Sequence, residues 1–90
     1  MQGYFTPQGS NTELKINSVK RHIEATDCKH LKMDISSMNA LEASKIVALC
    51  STNHYLKYPK GIVDCLVKSK NIIDLVKPLI LDNMKFLVKA

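Results

Sequence analysis

Residues 31–50 read LKMDISSMNALEASKIVALC, and the fold turns on how this stretch is read. It opens with alternation. Leu31, Met33 and Ile35 are apolar, with Lys32 and Asp34 between them, the period of a strand with one covered face. Ser36, Ser37 and Asn39 follow, short polar side chains that favour turns and helix caps. The period then changes. Leu41, Ile46, Val47, Ala48, Leu49 and Cys50 read as a mostly buried helix, and Asn39 with Glu42 three residues on fits a capping box. A strand feeding directly into a helix leaves unpaired N–H groups beyond the strand's C-terminal end, the usual position of a site in an open α/β sheet. Function is therefore expected first at the Ser36-Ser37 turn and the helix start from Asn39 to Lys45.

Upstream, residues 12–26 read as a helix. Ile16, Val19 and Ile23 form one apolar stripe, and Ser10, Asn11 and Thr12 are candidate caps. Residues 1–10 contain Gly3, Pro7 and Gly9 and read as a frayed tail or a short edge strand at Tyr4 and Phe5. Downstream, residues 51–61 (STNHYLKYPKG) read as a loop punctuated by Pro59 and Gly61. Residues 62–67 (IVDCLV) are almost continuously apolar, as in a strand covered on both faces. Ser69 caps a helix over 70–77, with Ile72, Ile73 and Val76 facing inward and Pro78 ending or kinking it. Asp82-Asn83 is a turn, and 84–88 a last strand. Strands alternating with helices imply parallel pairing through right-handed crossovers. The expectation is one small α/β domain over residues 1–90, with a mostly parallel sheet of three or four strands.

Composition narrows the function. No apolar run approaches the roughly 20 residues needed to span a bilayer. The first ten residues lack a charged segment followed by an apolar one, so no signal peptide is expected. Cys28, Cys50 and Cys65 are an odd number, which in an unexported chain points to reduced thiols and the cytoplasm. The net charge of +5 is spread along the chain, and Lys20-Arg21 is the one basic pair containing an arginine. A nucleic-acid module usually shows a denser stripe. A small basic nucleic-acid-binding domain is the alternative reading, behind a plain solvated basic surface.

Chemistry by the domain itself is not expected. Cys28 with His30, and Cys50 with His54, lack the spacings of structural zinc sites and read as ordinary buried and surface residues. Asp64-Cys65 lies inside an apolar strand, where the two side chains face opposite sides. Asp34 has Ser36 and Ser37 nearby but no histidine placed to serve it, as a nucleophilic site would need. Three glycines, two of them in the first ten residues, leave no phosphate-cradling loop. No cofactor, no metal and no catalytic residue is expected. The segment from His54 to Pro59 reads either as a tyrosine recognition surface for an acidic partner or as one Tyr packed over the sheet's end and one exposed.

From about residue 12 onward the order and residues resemble a STAS domain, the module shared by anti-sigma-factor antagonists and the cytoplasmic tails of sulphate transporters. Residues 31–36 resemble the family strand that ends near an aspartate. Glu42-Ala43-Ser44-Lys45-Ile46 falls where the family has Asp-Ser-Ser-Gly-Leu. Residues 61–69 (GIVDCLVKS) resemble the next strand and turn, and 71–88 the last helix and strand. The resemblance implies a non-enzymatic, bacterial, regulatory protein-binding module, whose partner is an anti-sigma factor or kinase-like regulator. It implies Ser44 as phospho-acceptor, with Asp34, Ser36, Ser37, Asn39, Glu42 and Lys45 meeting the partner. The family begins with a hairpin, for which only residues 1–5 are available here. The shortened start implies an exposed sheet edge and a homodimer through it.

Overall fold

Three strands in one sheet, all parallel, run in the order β1 (His30–Asp34), β2 (Ile62–Val67), β3 (Met84–Val88). The computed structural model describes residues 3–25 and 27–89. Each strand is joined to the next by a crossover helix: α2 (Ala40–Lys57) between β1 and β2, and α3 (Lys70–Val76) between β2 and β3. Parallel pairing cannot be made by a hairpin, so these helices are a consequence of the strand direction. Crossovers of one hand that step the same way across a sheet lay their helices on the same face. α1 (Thr12–Ala25) packs chiefly against α2 and extends that layer.

The burial pattern records the consequence. Leu31, Met33 and Ile35, Val63, Cys65 and Val67 are buried beneath Ala43, Ile46, Val47 and Cys50 of α2 and Ile72 and Val76 of α3, with Val19 and Ile23 of α1 closing the core. The intervening residues face the other way. His30 is exposed, and Lys32, Asp34, Ile62, Asp64 and Leu66 are half-buried. In register across the sheet this second face reads Lys32, Asp64, Lys85 in one row and Asp34, Leu66, Leu87 in the next. β2 therefore does not have helices on both sides, although its apolar run suggests so. The charged Asp64 in its middle is bonded on the bare face by His30, 2.7 Å away.

Local chemistry places the helix ends. Asn11 caps α1, its Oδ1 accepting the Leu14 N–H at 2.9 Å. Gly9 just before it has φ +141, where a Cβ would lie 2.5 Å from Leu14 Cβ, so the tail's turn into α1 needs glycine. Ser69 holds the cap position of α3 in extended conformation but makes no side-chain bond there. α3 ends at Val76, and Pro78 sits in the single 3-10 turn Lys77–Leu79 that follows. α2 is longer than the sequence suggests. The stretch read as a loop from Ser51 is helical to Lys57, because the inward stripe Ala43, Val47, Cys50 continues to His54. Thr26, read as the end of the first helix, and residues 1 and 2, read as part of a frayed tail or short edge strand, lie outside the described residues.

The N-terminal tail contributes one residue to the sheet. Phe5 forms a parallel bridge with Met33, its N–H donating to Lys32 O at 2.7 Å and its carbonyl accepting from Asp34 N at 2.8 Å. Its ring stacks on His22 of α1 at 4.0 Å between centroids. The outer edge of β1 is thus occupied at this point. No helix of the described residues is long and apolar enough to cross a membrane.

Candidate functional site

The residues singled out at the strand-to-helix junction fall into two groups. The first is a tight turn at the end of β1. Asp34 Oδ1 accepts both the Ser36 N–H at 2.9 Å and the Ser36 hydroxyl at 2.6 Å. Partial desolvation pushes the Asp34 carboxyl up, but these two bonds and the nearby Lys89 ammonium outweigh it and hold the group below its ordinary value. Asp34 therefore stays ionised and anchors the turn. Ser37 is exposed, Met38 is buried, and the Met38 N–H closes the turn on Ile35 O at 3.1 Å.

The second group is the first turn of α2. Asn39 Oδ1 accepts the Glu42 N–H at 2.8 Å, one half of a capping box. The other half is not used in that way. Glu42 reaches sideways to α1, accepting from Lys15 Nζ at 2.8 Å and from Thr12 Oγ1 at 3.0 Å. The Lys15 and Thr12 bonds hold its carboxyl below the ordinary range. Glu42 is thereby a strut between two helices rather than a free acidic contact.

Ser44 lies on the other side of α2. Two residues along an α-helix turn the side chain through about 200°, so Glu42 and Ser44 point to opposite flanks. Ser44 is half-buried, and its hydroxyl donates to Leu41 O at 2.8 Å within its own helix. It stands at the start of the second turn, just past the first turn in which the helix-dipole effect favours anions. Lys45 and Leu41 face solvent. Leu41, read from its position in an apolar run as part of the core, is 68% exposed, because the inward stripe begins at Ala43. The outward surface at this end of α2 is therefore Ser37, Asn39, Ala40, Leu41 and Lys45, with Ser44 at its margin.

Several functional-looking side chains are structural. His54, four residues after Cys50, is wholly buried and bonds the Cys28 carbonyl with Nε2 at 2.7 Å. Gly61 makes room for it: a Cβ there would lie 2.6 Å from His54 Cε1 and 2.6 Å from Lys29 O. Tyr58 is half-buried and its hydroxyl accepts the Cys28 N–H at 3.1 Å, while Tyr55 is exposed. That is the arrangement of one Tyr packed at the sheet's end and one outside. Burial pushes the Cys50 thiol up to about 12 and the Cys65 thiol higher still. Among the described residues no group of three or more His, Cys, Asp and Glu is placed to hold a metal ion.

Other features had no sequence signal beyond composition. Lys57 Nζ donates to Ile23 O at 2.7 Å and Glu24 O at 3.0 Å, closing the C-terminal end of α1 from α2. Beside it, a groove of about 660 Å³ runs between the two helices, lined by Lys20, Ile23, Glu24, Asn53, Leu56 and Lys57. Ser51, on the flank of α2 that also carries Ser44, bonds Asn83 and Leu81 ahead of β3. These contacts join residues 30 or more apart, which no local pattern encodes.

Comparison with family models, with curated proteins and with solved structures returns no match.

Proposed function

We propose that this chain is a non-enzymatic protein-binding module of STAS-like kind, whose partner docks on the outward surface at the start of α2. The observation that carries the reading is Leu41. A leucine two-thirds exposed in the first turn of a helix, with Lys45 one turn on and Ser37 in the turn before it, is an apolar anchor with a polar rim. That combination is common where one protein meets another. Asp34 and Asn39 support the surface by fixing the turn and the helix start. Glu42 supports it by bracing α2 against α1. In this reading Ser44 is the switch: phosphorylation adds about −1.5 to −2 charge at the margin of the patch and would repel an acidic partner or recruit a basic one. The partner is an anti-sigma factor or kinase-like regulator.

The test compares wild type, Leu41→Asp and Ser44→Asp in partner recovery from a bacterial extract. Loss of one and the same partner in Leu41→Asp, and a change in its recovery in Ser44→Asp, is the expected result. Equal recovery of every partner by all three proteins would remove the reading. Recovery that collapses steeply with rising salt, and depends on nucleic acid in the extract, would replace it with phosphate binding.

A further inference from the structure

The two edges of the sheet are treated differently, and the difference has a consequence. Phe5 occupies the β1 edge, whereas among the described residues no backbone pairs with the outer side of β3. In a parallel ladder alternate residues of a strand bond to a given neighbour. Asn83 O accepts from Val63 N at 2.8 Å and Lys89 N donates to Val67 O at 2.9 Å, so the odd-numbered residues of β3 face β2. The N–H and C=O groups of Met84, Phe86 and Val88 therefore point to the open edge.

The edge strand is MKFLV, four apolar residues and one charge. Leu87 is 61% exposed and Val88 41%. Edge strands are commonly blunted by prolines, bulges or several charges. This one has Lys85 alone, and that side chain sits on the bare sheet face in water.

We infer that β3 pairs with β3 of a second copy of this chain, antiparallel about a two-fold axis through Phe86, making a continuous six-stranded sheet. The register is self-complementary. Reversal about Phe86 sets Met84 opposite Val88 of the second copy and Phe86 opposite its own counterpart. All three outward-pointing residues then meet outward-pointing residues, giving about six hydrogen bonds. Lys85 falls opposite Leu87 rather than opposite another lysine. Charge agrees with the direction: Asp82 precedes the strand and Lys89 follows it, both exposed, so antiparallel copies bring acid near base at each end. Parallel copies would set like beside like. On the helix side, Met84, Phe86 and Val88 extend the row of Val63, Cys65 and Val67, so the pairing lengthens the existing apolar layer. A five-residue strand pair buries less than the roughly 1,200–2,000 Å² of a standard interface. The dimer is accordingly one that dissociates on dilution.

Sedimentation velocity over a concentration series, with residue-resolved hydrogen exchange on the same samples, tests this. The expected result is a mass rising from one chain toward two. With it, protection of the Met84, Phe86 and Val88 amides should rise in step, while Lys85 and Leu87 are protected throughout. Val88→Pro removes one outward N–H without touching a bond to β2, and is expected to hold the chain at single mass. A single mass at every concentration, or doubled mass with fast exchange at those three amides, overturns the proposal. So does a folded Val88→Pro protein that dimerises as wild type does. Should that variant not fold, the exchange pattern of the wild type decides alone.

Discussion

His54 gives its Nε2 proton to the Cys28 carbonyl at 2.7 Å, and neither group meets solvent. A carbonyl only accepts, so the ring is the tautomer protonated at Nε2. The bond ties the last third of α2 to the chain entering β1. His54→Phe keeps a planar ring but leaves a buried carbonyl without its partner. The expected loss is about 1–3 kcal/mol of unfolding free energy, read as a lower urea midpoint with unchanged slope. An unchanged midpoint would mean that water or another donor replaces the histidine.

Ser51 and Asn83 form a second clamp. Ser51 Oγ donates to Asn83 Oδ1 at 2.7 Å and accepts the Leu81 N–H at 2.9 Å, while Asn83 Nδ2 donates to Ser51 O at 2.9 Å. Both side chains are buried. Asn83→Ala removes the acceptor of the Ser51 hydroxyl and a second donor to the Ser51 carbonyl, and about 1–3 kcal/mol of stability should go. Ser51→Ala leaves Asn83 Oδ1 and the Leu81 N–H without their partner and should cost a similar amount, and the double variant should fall short of the sum because the two share their bonds. Additive losses in chemical denaturation would show that they act separately.

The two clamps explain which parts of the chain were legible. The strands at 30–34, 62–67 and 84–88 announce themselves by composition and period, and their alternation with helices implies the parallel sheet. The second half of α2 did not. Ser51, Thr52 and Asn53 are turn formers by local preference, and they are helical because Asn83 and the Cys28 carbonyl satisfy Ser51 and His54 from far along the chain. The sign available was the spacing of Ala43, Val47, Cys50 and His54, which keeps one inward stripe. The bare sheet face was hidden by the apolar run of β2, with Asp64 the one residue that spoke against double cover. At the candidate site, the Asp34–Ser36 turn and the Asn39 cap are local and readable. The attachment of Glu42 to Lys15 and Thr12, and the exposure of Leu41, depend on how α1 lies against α2.

Acid should unfold the chain in a particular order. Burial beside Phe5 holds His22 below its ordinary value of 6.5. The unfolded chain takes up that proton first, so stability begins to fall as pH drops below about 6.5. Glu42 and Asp34 are held below their ordinary values of 4.5 and 3.8 by their hydrogen-bond donors. Their contributions are complete above those values and are lost as pH falls through the lower folded ones. Glu42→Gln should cost at most about 1 kcal/mol at neutral pH, as for other ion pairs that keep contact with water, and should make the profile shallower below 4.5. Denaturant titrations across the acid range measure both. Identical slopes for wild type and variant below 4.5 would show that the Lys15 bond does not form in solution.

The thiols give a reporter of opening. Cys28, Cys50 and Cys65 are all buried and unpaired with one another. Burial pushes Cys50 up to about 12 and Cys65 further. At pH 8 the Cys50 thiolate fraction is then far below that of a free cysteine, and the thiol is buried besides. Iodoacetamide should leave Cys50 and Cys65 of the native chain unmodified over hours and label both on unfolding in urea. Under native conditions their slow labelling should share one rate, because both lie in the same buried core and one opening exposes them together. Mass spectrometry of the modified peptides resolves each site. Rapid modification of Cys50 and Cys65 together under native conditions would show that α2 lifts readily from the sheet, and the two clamps would then be weaker than their geometry implies.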